Sequence, residues 1–157
     1  MKNSKAPLVM MEQMVMLLVF ALASALCLQA FVKSDDLSQR SAARDRAAVE
    51  AQNAAETLRS QSGDMGNALT QTAEALNGEY AQGLFWLDYD ENWTPIDYDA
   101  CGMESPAAAY RLEAQGVPAD VPGLQTASVT VENIEDPASP DVLFSLNVSW
   151  QEVNGRG

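Results

Sequence analysis

Residues 8–32 read LVMMEQMVMLLVFALASALCLQAFV, and this stretch decides how the rest of the 157-residue chain is organised. From Met14 to Val32 no charge interrupts 19 positions, enough for a helix to cross about 30 Å of hydrocarbon. One carboxylate, Glu12, sits near its start. A carboxylate at bilayer depth costs roughly 2.5 kcal/mol or more even on the gentler insertion scales, so Glu12 implies a partner or a role.

The flanks give the span a direction. Lys2 and Lys5 precede it, and Lys33, Asp35 and Asp36 follow. A short basic head keeps the amino terminus cytoplasmic and sends the bulk of the chain across, so the expectation is a single-pass membrane protein with an extracytoplasmic carboxy-terminal domain. A cleaved signal peptide competes, because Ala23-Ser24-Ala25 offers a small-x-small site. Glu12 within the run and the length of the run favour a retained anchor.

Between Leu8 and Ser62 there is no glycine or proline, while Pro7 stands just before and Gly63 just after. Proline suits a helix start and glycine the position beyond a helix end, so the spacing predicts one long helix. Ser34, Asp35 and Asp36 offer a cap at which a separate second helix would begin. Beyond the membrane, Leu37, Ser41, Ala48, Ala51, Ala55 and Leu58 fall on one face, and most are small enough to let a sheet approach closely. Arg40, Arg44, Asp45, Arg46, Glu50, Glu56 and Arg59 form a mixed-sign solvated surface.

The period then changes. Leu69, Ala73 and Leu76 mark a short amphipathic helix stopped by Asn77-Gly78. Residues 83–89, GLFWLDY, alternate as a strand with Phe85, Leu87 and Tyr89 on one side; Asp90-Glu91-Asn92 is the turn and residues 93–98 the return strand. Further strands are expected at 110–114, 127–132 and 143–151, the last two joined by the loop at 135–141. Strict alternation fits an antiparallel sheet laid on a helix. The predicted class is α+β, organised as a basic leader (1–7), a transmembrane helix (8–32), its amphipathic extension (33–61) and an antiparallel β domain (62–157).

Charge and composition exclude several functions. From Ser60 onward, 16 acidic residues face only Arg111 and Arg156, a surface that repels phosphate backbones, so no direct nucleic-acid binding is expected. The chain has no histidine, the commonest general base and zinc ligand. Cys27 lies in the apolar run and Cys101 far outside it, so the two do not pair with each other. Cys27 reads as a small packing residue, since Leu26 stands where lipoprotein acylation wants a small side chain. Cys101 reads either as a lone loop thiol or as a crosslink between chains.

The chemistry left to weigh is sparse. Asp88-Tyr89-Asp90-Glu91-Asn92 is a D-x-D-x-N run, with Asp99 further on, and Asp88, Asp90, Asn92 and Asp99 are therefore weak calcium candidates. Trp93 stands where such a loop needs glycine and Pro95 interrupts it, so a polar hairpin turn is the better account. There is no nucleophile elbow, phosphate-binding glycine loop or histidine-supported triad, and Trp86, Trp93 and Trp150 read as core or sheet-edge aromatics. Neither an enzyme nor a cofactor is expected.

A basic leader, an apolar helix with glutamate at its fifth position (Leu8-Val9-Met10-Met11-Glu12-Gln13-Met14), a helical extension and a small antiparallel sheet together resemble type IV pilins and the pseudopilins of type II secretion and competence systems. The resemblance implies a filament subunit whose partners are other pilin-like subunits and an inner assembly platform. It implies leader processing between Pro7 and Leu8, although the family usually has glycine in the place of Pro7. It also implies that Glu12 serves assembly, neutralised by the amino terminus of a neighbouring subunit. The rival from another class is a single-span envelope protein whose outer domain binds a protein without polymerising.

Overall fold

The structure, a computed structural model, describes residues 6–61, 63–98, 107–119, 121, 123–136 and 138–151. Helix α1 (Ala6–Ser60) holds 55 residues without a break at Ser34, so the capping residues there do not start a second helix. Helix α2 (Met65–Leu76) follows. Five strands complete the order: β1 (Glu79–Ala81), β2 (Leu84–Tyr89), β3 (Tyr110–Val117), β4 (Leu124–Asn133) and β5 (Asp141–Gln151). The chain divides into two compact units, Met1–Ala42 and Ala43–Gly157.

In the second unit each strand pairs antiparallel with the next, giving one sheet in the order β1-β2-β3-β4-β5. Local chemistry sets its corners. Gln82 (φ 54°) and Gly83 (φ 86°) both take left-handed backbone, the two-residue hairpin turn whose twist matches the strands it joins. Asp64 caps α2 by accepting from the Asn67 N–H at 2.8 Å. At the other end Asn77 is left-handed (φ 54°), and the Gly78 N–H reaches the Ala73 carbonyl at 2.9 Å. Gly78 has no room for a side chain, because a Cβ there would lie 2.5 Å from the Phe85 ring.

The core lies between one face of the sheet and the helices. Phe85, Leu87 and Tyr89 of β2, Leu112 and Ala114 of β3, and Ala127, Val129 and Val131 of β4 meet Ala47, Ala51, Ala54, Ala55 and Leu58 of α1. Ala68, Leu69 and Ala73 of α2 close the same cluster. Alanine at four of the five α1 positions lets the helix backbone approach the sheet. Of the face expected from sequence, Ala51, Ala55 and Leu58 are buried; Ala48 is half-buried, and Leu37 and Ser41 are exposed. The buried set also takes in Ala47 and Ala54, each one position before a residue of the expected stripe.

One expected strand fails and an unexpected one takes its place. Residues 93–98 are not a strand: only one isolated bridge, Tyr89 to Pro95, forms there. Pro95 lacks the N–H a ladder needs, and Trp93 is left-handed (φ 62°). Glu79–Ala81 pairs on that edge of β2 instead. On β4 and β5 the alternation holds, with Val131 opposite Phe144 and Val129 opposite Leu146 on the core side. The other side carries hydroxyls, Thr126 with Ser149 at 2.9 Å and Thr130 with Ser145 at 3.2 Å. Trp150 is buried and donates from Nε1 to the Gly63 carbonyl.

Candidate functional site

The apolar stretch of α1 is the first candidate. Among the described residues, α1 is the helix long and apolar enough to cross a membrane, and none of its most apolar window is buried within the protein. Met10, Met14, Leu17, Phe20, Leu26 and Phe31 are all exposed. Glu12 shares this surface and is itself exposed. On a 3.6-residue period Glu12, Val19, Ala23 and Ala30 fall on one face, so the carboxylate shares its line with apolar side chains, two of them alanines. Ser24 donates from its hydroxyl to the Phe20 carbonyl, which satisfies that polar group inside the helix. Pro7 and Leu8 fall in the first turn of α1, where proline's missing N–H costs nothing. Cys27 is an exposed free thiol on the same stretch.

The second candidate is the acidic run at the end of β2 and in the turn after it, where Asp88 and Asp90 are engaged by the protein. Asp88 is 2% exposed and accepts a two-pronged pair from Arg111, Nε to Oδ1 at 2.7 Å and a terminal guanidinium nitrogen to Oδ2 at 2.8 Å. The Tyr98 hydroxyl donates to Asp88 Oδ2 at 2.8 Å. Burial, together with that carboxylate, pushes the Tyr98 hydroxyl up to about 12. The hydrogen bonds from Arg111 to Asp88 hold the guanidinium above even its usual high range.

Asp90 serves the turn. Its Oδ1 accepts from the backbone N–H groups of Thr94 and Asn92, both at 2.8 Å, which holds the carboxyl below its ordinary range. Among the described residues no three acids, cysteines or histidines converge as a metal site. Asp99 and Cys101 lie outside the described residues. Asp88 and Asp90 thus do not face a common centre: one is tied to β3 and the other closes a turn.

Arg111 was not singled out by the sequence reading. Its signal was present: apart from Arg156 near the end, it is the single base after Ser60 in a strongly acidic stretch. Facing Asp88 directly across β2 and β3, it neutralises the buried carboxylate. Arg46 and Glu50, read as part of a solvated surface, form a 2.9 Å pair. Glu50 also accepts a 3.5 Å contact from the Tyr89 hydroxyl, and burial beside that carboxylate raises the Tyr89 pKa.

Trp93 stacks on Tyr110 with ring centres 4.1 Å apart and an interplanar angle of 10°. This aromatic contact holds the far side of the Asp90 turn against β3. No protein-family model, curated protein or solved structure matches the chain.

Proposed function

We propose that this protein is a structural subunit of a type IV pilus-like or type II secretion-like filament, in the role of a minor pilin or pseudopilin. The observation that carries the reading is a helix whose first stretch exposes a membrane-length apolar surface with one acid in it, and whose last turns form the core of an antiparallel α+β domain. A chain built this way waits in the bilayer by its helix, with its domain on the outer side. When an assembly platform lifts it out, the same apolar surface needs a new cover, and the helices of other subunits supply one.

Glu12 gives that exchange its specificity. In lipid the carboxylate is costly; among bundled helices a neighbour's amine or another donor neutralises it, which favours the assembled state and sets axial register. The role is structural and not catalytic. The acidic, histidine-free composition of the outer domain supports this.

The test is the natural amino terminus and the fraction in which the protein is found. Mass spectrometry of the chain from its native membrane and from sheared surface material is expected to give a start at Leu8 in the polymer. A start at Met1 with no polymeric fraction favours a retained single-span protein with an interaction domain. A start beyond Ala25 identifies a cleaved signal peptide and overturns the proposal.

A further inference from the structure

The turn after β2 carries a second pattern within its acidic run. Residues 90–94 read Asp-Glu-Asn-Trp-Thr, in which Asn92-Trp93-Thr94 is an Asn-x-Thr acceptor sequence with x other than proline. We propose that Asn92 is an N-glycosylation site, its side-chain amide accepting an oligosaccharide from a polyprenyl-diphosphate-linked donor outside the membrane. This rests on the outward orientation of the domain in the function proposed above.

The geometry separates this site from the other such sequence in the chain. Asn92 and Thr94 are both exposed, and residues 90–94 belong to none of the strands. The backbone doubles back there, with the Trp93 N–H on the Asp90 carbonyl at 3.1 Å and the Asp90 N–H on the Thr94 carbonyl at 3.0 Å. The backbone N–H groups of Asn92 and Thr94 both donate to Asp90 Oδ1 at 2.8 Å, so one carboxylate fixes the backbone at the acceptor and at the residue two places on. Stacking of Trp93 on Tyr110 directs the bulky middle residue into the domain.

Asn147-Val148-Ser149 is likewise exposed at Asn147 and Ser149 but differs in its backbone. It lies inside β5, paired to β4, and the Ser149 hydroxyl is 2.9 Å from that of Thr126. A transferase would have to strip that stretch from its ladder before bending it. It also has Ser145 where the first sequence has Asp90, so it lacks the carboxylate that closes the turn around Asn92.

In the transfer, Asn92 Nδ2 attacks the anomeric carbon of the donor's reducing-end sugar. The C–N bond forms as the C–O bond to diphosphate breaks. The electron pair leaves on the polyprenyl diphosphate, and the amide proton passes to the transferase. Nothing is oxidised or reduced. Pro95 biases Thr94 toward extended backbone, so the turn itself shapes how the acceptor is presented.

Full-length protein recovered from its native membranes tests this by mass spectrometry of the peptide containing Asn92. Added saccharide mass is expected on that peptide, absent in Asn92→Gln and Thr94→Ala and retained in Thr94→Ser and Ser149→Ala. A membrane-impermeant label on intact cells reports in parallel which side the domain occupies. An unmodified Asn92 in an outward domain overturns the glycosylation site and leaves the topology standing; an unmodified Asn92 in an inward domain overturns both. Saccharide mass that survives Asn92→Gln also overturns the assignment.

Discussion

The two stretches of α1 treat apolar side chains in opposite ways. Over residues 9–32 the large ones face outward, with Phe20 73% and Phe31 75% exposed. Over residues 43–60 the apolar positions are mostly alanines, and Ala47, Ala51, Ala54 and Leu58 are fully buried. A soluble protein rarely leaves so long an apolar surface uncovered. The difference teaches that one helix is written in two ways: big apolar side chains over a membrane-length stretch that the protein itself does not cover, and small ones where its own sheet must come close.

That contrast breaks most sharply at leucine. Leu58→Ala should destabilise the domain by about 2–5 kcal/mol, since it empties a filled core position, whereas Leu17→Ala should leave the domain's melting temperature unchanged. Thermal unfolding of the full-length protein in detergent, followed by near-UV circular dichroism, checks both. Equal losses in the two variants would mean that the exposed stretch is packed after all.

The next effect concerns the charge pair that the packed unit keeps inside. Arg111→Met leaves Asp88 buried without its cation and should cost about 2–4 kcal/mol, below the range for fully enclosed pairs because the guanidinium is partly exposed. Urea unfolding measures it. The double variant Asp88→Leu with Arg111→Met should recover much of the loss.

Overfilling gives a smaller loss. Ala54→Leu forces a large side chain between α1 and the sheet and should cost about 1–3 kcal/mol, while Ala25→Leu in the apolar stretch should not move the domain's unfolding. The same melts report both.

The smallest effect is electrostatic. Burial, and then the Glu132 charge nearby, raise the Glu113 carboxyl above its ordinary 4.5. Below 4.5 both folded and unfolded chains hold the proton; as pH rises from there through the higher folded value the half-buried group must ionise, and stability is lost. Glu113→Gln should therefore be slightly more stable than the parent at neutral pH and lose the decline just above pH 4.5, as melting temperatures across pH 3–7 will show.

Much of this was legible from residues alone. The helix bounds followed from the absence of glycine and proline between Pro7 and Gly63, because those residues punctuate a helix through backbone sterics alone. The central strands followed from strict alternation. On the helix face Ala51, Ala55 and Leu58 were legible, but Ala47 and Ala54 were not, because alanine carries little hydrophobic signal and the sheet decides which alanines it covers. The segment at 93–98 misled because Trp93, Ile96 and Tyr98 have strand-like side chains, whereas the proline and the left-handed Trp93 deny it a ladder. Arg111 escaped notice because its partner lies on another strand, and register is a property of the folded sheet. Glu12 was conspicuous from the start, since a lone acid in an apolar run needs no fold to stand out.

The filament proposal turns on that acid. With Glu12→Ala expressed in place of the native residue, the amounts of protein in the membrane and in sheared filaments are to be measured together. Undiminished or greater membrane insertion with a marked loss from filaments is the result predicted. Membrane and filament amounts both equal to those of the parent would contradict an assembly role for Glu12.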